Sequence, residues 1–156
     1  MHHDHQRLVN AVMKAGVKVY FNKEGCYREK DLMGWYSQKR REVVVCQENR
    51  INGRPRQQVD WTAGDYDTLR HEAQHVIQDC MVGRIGDQRW KPVYSDPVAL
   101  AKEVLGTDKM RKIYLKYRAA GYSDKDVLLE FEAFSVAEMN EPIEQVVDVK
   151  RFCGAV

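Results

Sequence analysis

Two rhythms of apolar and polar residues divide the chain. In "HQRLVNAVMKAG", Leu8, Val12 and Met13 fall on one side and Gly16 ends the run, which predicts a first helix. "VKVYFN" then alternates and is rich in strand-forming residues, so it reads as a strand. "DLMGWYS" and "REVVVCQ" read as two more, joined by the polar turn Ser37, Gln38, Lys39 and Arg40. "ENRINGRPR" is a loop, marked by its Asn-Gly pair and Pro55. Beyond it every pattern is helical. A helix is expected over about 65–81, with Leu69, Ala73, Val76, Ile77 and Cys80 on one face and Gly83 and Gly86 as its stop. A long connection follows over 84–97, then helices near 98–105, 108–119 and 124–139. Ser123 with Asp126 opens the last of these as a capping-box variant, and Pro142 sits in the first turn of a final helix ending near Phe152.

Helix, three strands, then helices alone describe an α+β domain: a small N-terminal sheet, mixed or antiparallel, packed on a helical body. With 156 residues, one domain spanning 1–156 is expected, large enough to bury a core without staples. No repeat or low-complexity tract interrupts it.

Charge narrows the partners. The formal net charge is +2, too small to call for nucleic acid. Residues 39–56 hold six Lys/Arg against two Glu, while 122–148 hold eight Asp/Glu against Lys125. Two solvated faces of opposite sign account for this, and "RINGRPR" lacks the interleaved aromatics of a nucleic-acid surface. No apolar run is long enough to span a membrane. The start, "MHHDHQRLVN", has no apolar signal region, and its first residues, "MHHDH", read as a flexible polar end. A cytoplasmic setting is the default. There Cys26, Cys46, Cys80 and Cys153, which show no C-x-x-C pairing, are expected as free thiols, with Cys46–Cys80 the first bridge to suspect otherwise.

The chemistry concentrates in "TLRHEAQHVIQDC", residues 68–80. Histidines at i and i+4 stand one turn apart on one helix face, so His71 and His75 can converge on one metal ion. Glu72 lies about 100° round the helix, off the ligand line but within reach of a water at the ion's open position. Two surface histidines on a solvated face are the plain alternative. The surrounding Ala73, Gln74 and Val76 are uncharged, which favours the metal.

A catalytic zinc wants a third protein ligand. No histidine follows His75, and Gln78 and Met81 break the longer H-E-x-x-H-x-x-G-x-x-H pattern. A carboxylate remains, and "VLLEFEAFSVAE" offers two. Glu132 has Leu128, Leu129, Ser135 and Val136 one turn away, so its burial needs something to bind the charge. Glu130 has the more mixed Asp126, Val127, Ala133 and Phe134. Glu132 is therefore preferred, with Glu130 as the alternative and Asp79, Asp96 or Glu103 behind them.

"HEAQH" followed by "EFEAF" on a later helix resembles the gluzincin metallopeptidases, which carry H-E-x-x-H and then, in their thermolysin-like members, N-E-A-x-S-D. Glu132, Ala133 and Ser135 match the E-A-x-S part. The resemblance implies a compact, minigluzincin-like domain of zincin fold that binds Zn2+ through His71, His75 and Glu132, with Glu72 as general base. The Asp that this family often places four residues after its ligand Glu is Val136 here, leaving Asp79 or Ser135 to support a histidine. The resemblance also implies that an edge strand in "MGWYSQKRREVVVCQ" pairs with an extended peptide, with Gly34 or Tyr36 near the cleft. Tyr36, Tyr94 and Tyr122 are candidates to steady an oxyanion.

The expected activity is zinc-dependent hydrolysis of a peptide or protein substrate, in which Glu72 takes a proton from water and passes it to the leaving amine. The alternative is a zinc-bearing module that keeps the fold, holds a partner and cleaves nothing. A retained Glu72 favours the enzyme.

Overall fold

The computed structural model describes residues 1–81 and 90–154. The expected helix stop at Gly83 and Gly86, and much of the connection over 84–97, lie outside them. The order of elements is α1 (His3–Lys14), β1 (Lys18–Phe21), a single 3-10 turn (Glu24–Tyr27), β2 (Gly34–Ser37), β3 (Glu42–Val45), α2 (Ala63–Cys80), α3 (Pro97–Val104), α4 (Thr107–Ala119), α5 (Asp124–Met139) and α6 (Pro142–Phe152). This is an α+β chain, mostly helical, with one three-stranded sheet among the described residues.

The sheet is mixed, in the order β1-β3-β2. β3 is central: it runs parallel to β1 and antiparallel to β2, with Trp35 opposite Val44 and Tyr36 opposite Val43. Side chains of a strand alternate between faces. Val43 and Val45 accordingly join the main core, with Leu8, Val12, Leu69, Val76 and Ile77 of the helices. Val44 and Cys46 point the other way, into a small cluster with Cys26, flanked by Tyr20, Tyr27, Leu32 and Trp35. A third cluster holds α3, α4 and α5 together through Ala101, Ile113, Val127 and Phe131.

α2 starts two residues earlier than its apolar pattern indicates, because the start is set by polar atoms. Thr62 Oγ1 accepts from the Asp65 amide at 3.1 Å, and Asp65 Oδ2 accepts from the Thr62 amide at 3.1 Å, a reciprocal cap. Asp65 Oδ1 also accepts from the Glu48 amide at 2.9 Å, tying the end of β3 to the start of α2. The helix is buried on more than its apolar stripe: His71, Glu72, Gln74, His75, Gln78 and Asp79 are all buried. It runs through the middle of the molecule, against β2 and β3 on one side and α5 and α6 on others. α5 opens on Ser123, whose hydroxyl accepts from the Asp126 amide at 3.2 Å, one half of the capping box that the sequence indicates.

Three expectations are overturned. The N-terminal end is helical from His3, and His5 is buried against the Tyr66 ring, with centroids 4.2 Å apart. The cysteines are not free among the described residues: Cys26 bonds Cys46 and Cys80 bonds Cys153. The Cys46–Cys80 pairing fails because strand alternation sends Cys46 to the far side of the sheet, whereas Cys80 lies in the main core. No helix among the described residues is long and apolar enough to cross a membrane.

The bridges close loops of 20 and 73 residues. Loop-closure entropy makes these worth about 3 and about 4 kcal/mol. Thiol counting on denatured, unreduced protein is expected to find none. Cys153→Ser, which unties α6 from α2, is expected to lower unfolding free energy by about 2–5 kcal/mol in denaturant titration. Four free thiols would remove both bridges.

Candidate metal centre

His71 and His75 project from one face of α2, their rings 4.9 Å apart and edge to face. The carboxylate that meets them is Glu130 of α5. Glu130 Oε2 lies 2.7 Å from His75 Nε2, and Glu130 Oε1 lies 3.6 Å from His71 Nε2. One ligand atom from each of the three falls within 4.8 Å of the others, and all three residues are buried. Two nearby buried atoms, Glu130 Oε2 and His71 Nδ1, have no hydrogen-bond partner among the described residues. The hydrogen bond between His75 and Glu130 runs instead between Nε2 and Oε1, at 3.2 Å. Two imidazoles and a carboxylate with ligand atoms this close could hold a divalent transition metal, and a His₂Glu donor set suits zinc with one position left for water. The residues present therefore fit the ion that the motif implies.

Glu132 is not brought to the histidines. It is fully buried, and its carboxylate accepts from Gln78 Nε2 at 2.7 Å, Gln74 Nε2 at 3.3 Å and the Tyr94 amide at 2.7 Å. The reasoning from its apolar neighbours found burial correctly and the partner wrongly. Residues two apart on a helix point about 200° away from each other, which suggests that only one can face inward. α5, however, is buried on both flanks of its contact with α2. Gln78 Nε2 touches the Leu129 carbonyl at 3.0 Å, so the Leu129 side of α5 meets α2. Measured from Leu129, Glu130 lies about 100° one way and Glu132 about 60° the other. Both carboxylates reach α2, one to the histidines and one to the glutamines.

Electrostatics follow from this packing. Burial disfavours the charged form of His75, but the Glu130 carboxylate outweighs it, helped by Glu72 and Gln78, and raises the pKa to about 9. Burial likewise acts to raise Glu130, yet His75 and His71 overcome it and hold the carboxyl well below its usual range. Glu72 is raised: burial dominates, Glu130 adds to it, and His71 and His75 oppose. A carboxylate raised in this way is a better proton acceptor than an exposed one. Glu72 Oε1 lies 4.0 Å from His71 Nε2, beside the cluster and outside it, as the helical offset requires.

The centre opens into a cleft of ≈ 530 Å³. Glu72, His75 and Glu130 form part of its wall; Gly34, Trp35 and Tyr36 of the edge strand β2 form another part. Gly34 is required there, because a Cβ would stand 2.5 Å from the Val44 carbonyl oxygen and 2.9 Å from Thr68 Cγ2.

Of the tyrosines, Tyr36 lines the cleft and donates to Asp79 Oδ2 at 2.6 Å, and Tyr122 lines it half-exposed. Tyr94 is engaged differently: its amide serves Glu132 and its hydroxyl accepts from Asn140 at 3.4 Å. Sequence reasoning missed Tyr117, which also lines the cleft, its ring 4.9 Å from that of Tyr122. Burial, with Glu130 next in importance, raises the Tyr117 pKa, so this phenol stays a hydrogen-bond donor. Its one-turn spacing from Ile113, the buried residue of α4, was the available signal. Ser135 donates to the Phe131 carbonyl, at 2.6 Å. The residue that supports a histidine is Gln78, whose Oε1 stands 2.8 Å from His75 Nδ1.

The family described as "Domain of unknown function (DUF8637)" matches residues 1–153. The chain belongs to this family. No curated protein and no solved structure matches it. The reading of the site therefore rests on its own geometry.

Proposed function

We propose that the chain is a zinc-dependent peptidase of gluzincin type, with His71, His75 and Glu130 as ligands and Glu72 as general base. The observation that carries this reading is the convergence of the two α2 histidines with Glu130 on the wall of a cleft that also exposes Glu72. A binding module has no use for a buried carboxylate of raised pKa beside the ligand set.

Bound zinc would supply a Lewis acid that polarises a carbonyl and acidifies water. The chain's own groups do the rest. Glu72 accepts a proton from water and returns it to the leaving amine. The phenols of Tyr117 and Tyr122 face the same cleft as protonated donors, suited to an oxyanion. β2 is an edge strand along the cleft, and an extended peptide laid beside it would gain main-chain hydrogen bonds of low sequence demand. Two disulfides favour an oxidising compartment over the cytoplasm.

Metal analysis of purified protein, with digestion of a broad peptide library, tests this. About one zinc per chain and cleavage abolished by a chelator are the expected results. Zinc without cleavage across conditions would instead favour a catalytically silent zinc-binding module; no zinc at all would end both readings.

A further inference from the structure

The edge strand β2 touches α2 on either side of the metal cluster. At one end Gly34 is pressed against the helix: a Cβ there would stand 2.9 Å from Thr68 Cγ2. At the other end Asp79 takes two hydrogen bonds. The Tyr36 hydroxyl donates to Asp79 Oδ2 at 2.6 Å, and Gln38 Nε2 donates to Asp79 Oδ1 at 3.0 Å. Thr68 precedes His71 by about one turn of α2, and Asp79 follows His75 by about one turn. At about 100° per residue, Thr68, Glu72, His75 and Asp79 fall within about 60° of one another. The lengths agree: from Thr68 to Asp79 the helix rises about 16 Å, and extended chain from Gly34 to Gln38 covers about 13 Å. The strand is thus laid along the helix face that carries Glu72 and His75, and Gly34, Tyr36 and Gln38 line the same cleft.

One side of β2 pairs with β3, and its other side has no strand partner among the described residues. Side chains must therefore fix where that outer side lies. Asp79 is placed to do so. It is 0% exposed, so the bonds it accepts are made away from water. Each of its oxygens takes one donor, the first from β2 and the second from the turn that follows it. Both groups arrive as donors, as an ionised carboxylate requires. Two bonds to one rigid group hold the end of the strand in orientation as well as in place.

We propose that Asp79 is a positioning residue: by holding Tyr36 and Gln38 it fixes the outer edge of β2 beside the metal cluster, and so sets how firmly an extended peptide is held there. That a peptide lies on β2 rests on the reading above; that Asp79 holds the strand does not. Without the clamp, β2 stays paired with β3 and seated at Gly34, but its end beyond Tyr36 is released. A peptide must then order that end as it binds, and the cost falls on affinity. The reacting groups stay on α2 and α5, so turnover of bound peptide suffers less.

Two variants test this from opposite sides. Asp79→Ala removes both acceptors. The double change Tyr36→Phe with Gln38→Ala removes both donors and leaves Asp79 in place for its other contacts. In both, amide hydrogen exchange over residues 34–38 is expected to quicken about tenfold or more, the scale of losing hydrogen bonds to a charged group. For an extended peptide KM should rise about tenfold, with a smaller change in kcat. For a short substrate that leaves β2 uncovered KM should rise less. Loss of folded protein alone would lower kcat at constant KM for both substrates. Unchanged exchange over 34–38 in either folded variant would overturn the clamp. Faster exchange with equal losses of kcat/KM on long and short substrates would overturn its role in peptide affinity. If the wild type cleaves no peptide, the peptidase reading falls, and binding of a fluorescently labelled extended peptide replaces the kinetic comparison. Equal affinity in the wild type and both variants would then overturn the proposal, as would no binding at all.

Discussion

Glu130→Ala is expected to strip the site of zinc, where a change at Glu132 weakens it. Glu130 is the carboxylate among the three groups whose atoms converge, 2.7 Å from His75 Nε2 and 3.6 Å from His71 Nε2. Loss of an outer partner of a ligand typically costs about 10–100-fold in affinity, so loss of the ligand itself should exceed about 100-fold. A second effect runs the other way. Glu130 is what holds His75 at about 9, so at neutral pH a metal must displace a proton from that ring. Removing Glu130 lowers the His75 pKa and relaxes that competition, at most about tenfold for each pH unit by which the ring becomes easier to deprotonate. The lost ligand is expected to prevail, since two imidazoles alone leave two of four positions to water. In the wild type the same linkage gives a sign: zinc affinity should climb as pH rises towards about 9, because below it the protonated His75 competes. Zinc content by mass spectrometry after dialysis, and the cobalt(II) absorption spectrum, separate the two carboxylates. E130A should lose the tetrahedral cobalt bands, and Glu132→Gln should keep them at higher metal concentration. Equal zinc retention by E130A would move the third ligand elsewhere.

The site was legible in the sequence where spacing alone decides geometry. His71, Glu72 and His75 lie on one continuous helix, so their relative directions follow from 3.6 residues per turn and no tertiary knowledge is required. The proposed third ligand is different in kind. It depends on how α5 is rotated against α2, and periodicity cannot supply that when a helix is buried on several flanks. Glu132 carried the right signal, a carboxylate among apolar neighbours, but the compensating partners were Gln74 and Gln78 on α2. Gln74 reads in the sequence as an uncharged neighbour of the motif and Gln78 as a break in the longer histidine pattern; in the structure both hold Glu132, and Gln78 also meets His75. The cysteines show the complementary case. Alternation along "EVVVC" already places Cys46 with Val44 and apart from Val43 and Val45, so the exclusion of Cys80 as its partner was readable; the choice of Cys26 was not, because it depends on where the 3-10 turn packs. The element boundaries were set within a few residues by glycine, proline and capping residues. The late start expected for α2 came from following apolar periodicity past a polar cap.

Glu72→Gln is expected to keep zinc and to lower peptide hydrolysis by about a hundredfold to ten-thousandfold, the usual contribution of a positioned general base. The glutamine is isosteric and cannot take a proton. Metal affinity should change little, since two small effects oppose each other. Removing a negative charge beside the cluster weakens its pull on a cation. Glu72 also contributes to raising His75, so its loss eases proton competition at that ring. Stability gives an independent check. Burial raises the Glu72 pKa in the folded state, so the folded chain binds more protons than the unfolded one between the ordinary carboxylate value and the raised one. The stabilising part of that linkage is complete below the unfolded value and is lost as pH rises through the folded value. At neutral pH the metal-free wild type has therefore lost stability that it holds in acid, and the non-titrating amide has not. Metal-free E72Q should melt no lower than wild type at neutral pH, and its advantage should shrink as the pH is lowered towards the ordinary carboxylate range. Inactivity would then be traced to the missing base, because neither the fold nor the zinc is lost. Near wild-type hydrolysis by a zinc-loaded E72Q protein would remove Glu72 from the mechanism and return the cleft to a search for another proton acceptor.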